Sequence, residues 1–189
     1  MRAIVRRFDA FLSRRLRVFE FCDDKVCILR LRLTKVPRNL QFPEREVKAG
    51  APELELHLWN QRVPPIPPSG ANVTWGLRTS RLLIHSYRAV AEWMKHYPNL
   101  ADLQVVGGVT ILISQDGSHP GGVYLMQRLG FMVLPYYRPF GAFGEFWENF
   151  YSWVLIWTYN PASMHSHHFL TSRRAEIWML ADEFMKRYG

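Results

Sequence analysis

With 189 residues and 48% hydrophobic composition, the chain is long enough for one well-cored domain and short for two. Its formal net charge of +8 favours anionic partners, and seven Trp make a membrane surface at least as apt as a nucleic acid. No apolar run reaches the about 18 residues of a spanning helix, arginines break up any signal-peptide core, and Cys22 and Cys27 have no second cysteine pair to complete a zinc site.

The two cysteines read as reduced thiols, so the expectation is a cytoplasmic protein with a peripheral place on the inner face of the membrane open to it. Residues 2–18 form a basic amphipathic helix, with Ile4, Val5, Phe8, Phe11, Leu12 and Leu16 on one broad face and Arg2, Arg6, Arg7, Arg14, Arg15 and Arg17 around it. That is the pattern of an interfacial helix, and also of an ordinary surface helix with solvated arginines. Residues 1–25 are read as this helical segment and residues 26–189 as the main domain.

Val26 to Val36 alternates as a strand and stops at Pro37. Residues 38–51 are turn-rich, with a short strand near Val47. The stretch 53–60 then alternates most cleanly of all. Leu54, Leu56 and Leu58 point one way, and Glu53, Glu55, His57 and Trp59 the other. An imidazole thus stands between two carboxylates, with Asn60 at the strand's end. Such a pair of carboxylates can have its pKa values driven apart and work as acid and base, or can be two solvated charges on a sheet edge. Together 26–60 predicts a small antiparallel meander.

Residues 61–78 read as a Pro-rich loop, either a cover over the His57 strand or a stiff connector. Thr79 or Ser80 is expected to cap a helix to about Tyr97. Val105 to Ile113 is an apolar strand interrupted by Gly107-Gly108, which marks a bulge or a close backbone approach. A short helix over 122–129 ends at Gly130, and a strand over 131–134 ends at Pro135. Residues 143–158 predict a helix with Phe143, Phe146, Trp147, Phe150, Trp153 and Trp157 on one stripe. Such a stripe is either a membrane anchor or a core face. His165, His167 and His168 can bind a transition metal opportunistically, but no H-E-x-x-H is present and no native metal is assigned. A strand at Ile177-Trp178-Met179 and a helix over 181–188 close the chain. Nucleophile elbow, Walker loop and dinucleotide fingerprint are all missing, so no cofactor is assigned.

Two stretches are similar to known families. Tyr124 to Phe131 looks like the helix–LGF–strand ending of GNAT acetyltransferases, without the glycine-containing pyrophosphate loop those enzymes need. More broadly, residues 26–188 resemble the YkoP-like domain family of bacteria. The resemblance rests on the ordered series Arg30-Leu31-Arg32-Leu33-Thr34, then Val47 to Pro52 running into Glu55-Leu56-His57-Leu58-Trp59-Asn60. Gly108-Val109-Thr110, Leu129-Gly130-Phe131 and the 173–188 ending complete it. It implies an uncharacterised domain, found alone or beside polysaccharide deacetylases, and so a link to envelope glycan or lipid metabolism. The family's E-L-H-x-x-N motif falls on Glu55, Leu56, His57 and Asn60. The Pro-rich loop and the His165–His168 cluster are not family features, and the deacetylase barrel and its metal motif are absent.

The combined expectation is a single α+β domain with a mostly antiparallel sheet. Its leading function is peripheral binding of anionic lipid or lipid-linked glycan through Arg6, Arg7, Arg14, Arg15, Trp147, Trp153 and Trp157. The alternative is a small transferase or hydrolase with a catalytic site of His57, Glu55 and Asn60. Nucleic-acid binding ranks third, because the basic residues are interleaved with large apolar ones.

Overall fold

The computed structural model describes residues 2–65, 67, 72–97, 102–110, 121–137, 150, 154, 158 and 174–189, and for residues 2–4, 6, 8 and 121 the backbone alone. Its elements run α1 (Arg2–Arg15), β1 (Leu29–Lys35), β2 (Leu40–Gln41), β3 (Glu46–Val47), β4 (Pro52–Leu58), α2 (Val73–Lys95), β5 (Val105–Thr110), α3 (Gly121–Arg128), β6 (Met132–Pro135), β7 (Ala175–Leu180) and α4 (Ala181–Tyr188). This is an α+β fold. Five strands form one sheet in the order β1-β4-β5-β7-β6, and β2 and β3 pair apart from it. β4 and β5 run parallel, and every other pairing is antiparallel. A parallel pair needs a long crossover, and the 23-residue α2 supplies it.

The alternation of β1 and β4 sets their register. Leu29, Leu31 and Leu33 stand opposite Leu58, Leu56 and Leu54, while Arg30, Arg32 and Thr34 stand opposite His57, Glu55 and Glu53. One sheet face is therefore apolar, and α2, α3 and α4 cover it. Leu83, Tyr87, Val90 and Ala91 of α2 recur at helical spacing and meet Leu31, Leu54, Leu56, Val106, Ile177 and Met179. Phe184 and Tyr188 of α4 close on the Tyr87 ring, with centroids 5.8 and 5.1 Å away. Ser86 ties the helix to the sheet, accepting from Ile28 N at 2.9 Å and donating to Leu82 O at 2.7 Å.

The meander is only partly realised. β1 and β4 pair as expected, but the chain between them folds into the separate β2–β3 hairpin. Leu40, Phe42 and Val47 of that hairpin region pack on Val105, Trp178 and Leu180 from the second sheet face. The cap of α2 also differs from expectation. Asn72, not Thr79 or Ser80, receives the first-turn hydrogen bond, from Trp75 N at 2.9 Å. Asparagine is among the strongest caps, and the exposed first turn accommodates Gly76. The helix therefore extends back into the expected loop, and Thr79 becomes a buried interior residue. The stop at Gly130 holds, with φ +92 there. Pro135 is the last residue of β6 instead of the residue that follows it. The final strand is longer than the Ile177-Trp178-Met179 core, and α4 runs from Ala181 to Tyr188. Phe150, Val154 and Thr158 are helical; the rest of the aromatic stripe, with Trp147, Trp153 and Trp157, lies outside the described residues, as do His165, His167 and His168.

α1 is fastened to the sheet. It ends at Arg15, earlier than Arg17, which has φ +57 and turns the chain towards β1. Phe19 and Leu31 then exchange both backbone hydrogen bonds, at 2.8 and 2.9 Å. Among the described residues no helix is long and apolar enough to cross a membrane.

Candidate functional site

The second sheet face carries the polar side chains of β1 and β4. Arg30, Arg32, Glu53, Glu55 and His57 share it with Val105, Gly107 and Val109 of β5 and Glu176, Trp178 and Leu180 of β7. α1 covers one part through Arg30, whose Nη1 lies 3.2 Å from Asp9 Oδ2 and 3.0 Å from Ser13 Oγ. The β2–β3 hairpin covers another. On this face His57 keeps 29% of its side chain exposed and Val109 is 42% exposed, while the Glu55 side chain keeps 15%.

Glu55 is the centre of this stretch. Its Oε2 lies 2.7 Å from Arg32 Nε and 3.3 Å from His57 Nε2. Neither nitrogen is aligned for a hydrogen bond, so these are Coulombic contacts, and a small rotation of either side chain would convert one into a bond. Burial pushes the Glu55 carboxyl up, but His57 and Arg32 outweigh it and hold the group below the usual carboxylate range. Glu53, two residues back on the same face and 4% exposed, behaves oppositely. Burial first, then the charges of Glu55 and Glu176, push its carboxyl up to about 8 against the pull of Arg32. At neutral pH the strand thus presents one protonated and one ionised carboxyl. Their Cα atoms are roughly 7 Å apart by strand geometry.

A third carboxylate closes the far side. Glu176 is 3% exposed and fully engaged. Arg38 Nη2 and Trp178 Nε1 donate to its Oε2 at 2.8 and 3.1 Å, and Tyr137 N donates to Oε1 at 2.7 Å. Its partners hold it in place, so its role is structural. Gly107 lies between Glu55 of β4 and Trp178 of β7 in the register. The Trp178 ring fills the space a side chain at Gly107 would need.

The location fits a ligand site. β4 and β5 pair only from Glu53↔Val105 to Glu55↔Gly107, although both strands run on for three residues. His57 therefore stands at the carboxyl end of the one parallel pair among the described strands, where open sheets bind ligands.

Of the expected catalytic residues, Glu55 and His57 are brought together. Asn60 lies in the turn beyond β4, half-buried, and joins none of the contacts around His57. Trp59, expected beside His57 on the strand, lies just past its end, with the guanidinium groups of Arg62 and Arg30 over its ring at 3.5 and 5.7 Å. Arg32 and Glu176 escaped the sequence reading as site residues. The cross-strand register that puts Arg32 opposite Glu55 was latent in the leucine alternation of both strands. Nothing local points from Glu176 to a strand more than a hundred residues earlier. Of the expected surface arginines, Arg7, Arg14 and Arg15 are exposed, and the Arg6 side chain lies outside the described residues. Among the described residues no group of three His, Cys, Asp or Glu is arranged to hold a metal.

Set against models of known protein families, curated proteins and solved structures, the chain matches none. The likeness to the YkoP-like domains accordingly rests on the motifs alone.

Proposed function

We propose that the protein is a small acid–base enzyme, a hydrolase or transferase, whose site is built on Glu53, Glu55, His57 and Arg32. The observation that carries this reading is the pair of carboxyls with opposed protonation beside an imidazole at the carboxyl end of the β4–β5 pair. Environments that drive two neighbouring titratable groups apart are how one site holds an acid and a base at the same pH.

The roles follow from position. His57 Nε2 faces Glu55, and Nδ1, with no partner among the described residues, is left to take a proton from a water or a substrate hydroxyl. Glu55 steadies the imidazolium that forms. The protonated His57 then gives that proton to the leaving group, and Glu53, too buried to touch a substrate, sets the charge beside Glu55. Arg32 keeps Glu55 ionised throughout. The likeness to YkoP-like domains favours an envelope glycan or lipid precursor as the substrate class.

The test is a panel of nitrophenyl acyl esters, phosphate esters and glycosides, assayed from pH 5 to 10 with the wild type, His57→Gln and Glu55→Gln. General acid–base groups contribute about 10²- to 10⁴-fold, so either substitution should cost a rate factor in that range. The wild-type profile should fall on its alkaline side near pH 8, as Glu53 loses its proton. Turnover unchanged by both substitutions, or no turnover of any substrate, would overturn the assignment.

A further inference from the structure

We infer that the outward face of α1 is a docking surface for an anionic phospholipid bilayer, and that it presents the His57 side of the sheet to that bilayer. Three observations carry the inference. The first is the fate of the one acid in the helix. Asp9 is 6% exposed and turned onto the sheet, where Arg30 neutralises it, so no carboxylate of α1 offsets the arginines on its outer side. The second is the composition of that side. Arg7, Phe11, Arg14 and Arg15 fall within one helical stripe at spacings of three and four residues, and all are exposed. Phe11 is 62% exposed, with arginines ahead of it and behind it. A large apolar side chain held in water among cations matches the boundary between headgroups and acyl chains. There the ring enters the apolar layer and the guanidinium groups meet phosphate.

The third observation is fixation. Val5 and Asp9 are buried, Ser13 is bonded to Arg30, and the chain leaving the helix is paired to β1 through Phe19 and Leu31. The helix is therefore presented in one orientation by the folded domain. Arg30, which holds it, stands directly opposite His57 in the β1–β4 register. α1 and the candidate site thus lie on the same side of the sheet, and a bilayer against Phe11 faces the site. The docking face stands independently of the acid–base reading. If both hold, the substrate is membrane-borne.

The experiment is vesicle flotation of the full chain with phosphatidylcholine alone and with phosphatidylcholine containing phosphatidylglycerol, at low and high salt. Wild type should float with the anionic vesicles only and be released by salt. Each arginine at an anionic surface is worth about fivefold in binding, so Arg14→Ala combined with Arg15→Ala should weaken flotation roughly 25-fold. Phe11→Ala should weaken it at every salt concentration at which the wild type still floats. These positions are exposed, and unchanged circular dichroism will show that the variants fold. No flotation with anionic vesicles, or equal flotation of the double variant, would overturn the inference. Equal retention on a heparin column and on vesicles, with Phe11→Ala inert, would also overturn it, because that is non-specific charge attraction. None of these outcomes depends on catalysis, so the docking face and the active site fail separately.

Discussion

The two faces of the sheet solve opposite problems with the same strands. Under α2, α3 and α4 the face is apolar, with Leu31, Leu54, Val106 and Met179 almost fully buried. Across the same backbone, the titratable side chains of Arg32, Glu53, Glu55 and Glu176 are largely withdrawn from water, with His57 beside them. The first arrangement follows from the hydrophobic effect alone, which rewards any close-packed apolar contact. The second is stabilised only to the extent that each charge finds a counter-charge, and the buried Glu53 finds too little. Most of the apolar core thus lies on one face, and the other carries, beside the smaller cluster under the hairpin, groups with perturbed chemistry.

The largest effect expected from breaking this contrast is on the apolar face. Phe184 is fully buried between Tyr87, Phe131 and Tyr188. Phe184→Ala should cost about 3–5 kcal/mol, the usual loss for an aromatic core truncation. Urea unfolding would report it as a lower midpoint at an unchanged slope. A loss under 1 kcal/mol would mean that the α4 contact contributes little to the core.

The second prediction separates the faces by pH. Glu53 loses its proton near 4.5 in the unfolded chain and near 8 in the folded one. Between those values the folded state binds the extra proton, so its stability falls as pH rises through the window and then stays low. At about 1.4 kcal/mol per pH unit the total is a few kcal/mol. Glu55 works the other way. Its folded pKa is lowered, so its stabilisation is present above the ordinary carboxylate range and is lost as pH falls through the depressed value. Glu53→Gln should therefore flatten the decline between pH 4.5 and 8 and leave the acid limb intact. An unaltered pH profile in that variant would assign the decline to other groups.

This division also explains what the sequence could convey. The alternation Leu54, Leu56, Leu58 against Glu53, Glu55, His57 located the strand and its two faces, because period two is a local property of the backbone. The α4 segment and the Gly130 stop were legible for the same reason. The long-range relations were not. Only the β1–β4 register brings Arg32 to Glu55, and only the insertion of β7 beside β5 brings Glu176 onto the same face. The Asn72 cap was missed because prolines upstream made the segment read as loop, although the capping residue was present. Asn60 was grouped with His57 by closeness in sequence, yet the strand ends at Leu58 and the turn leaves Asn60 outside the contacts.

The smallest effect lies on the boundary between the two faces, at Gly107. A β-carbon there would overlap the six-membered ring of Trp178 and come within 2.9 Å of the Ile177 carbonyl oxygen. The indole cannot swing away freely, because it is 3% exposed and its Nε1 donates to Glu176 at 3.1 Å. Gly107→Ala should cost about 1–3 kcal/mol, as overpacking does, less the modest gain from a stiffer unfolded chain. The displaced Trp178 would loosen its bond to Glu176, and Glu176 raises the Glu53 carboxyl. The variant should thus shift the stability decline of the previous prediction along the pH axis as well as lowering stability. Phe184→Ala, which touches only the apolar face, should lower stability at every pH by the same amount. If the two variants gave parallel pH profiles, the faces would not be chemically separate. If only Gly107→Ala moved the profile, the separation would hold through a glycine that has no side chain of its own.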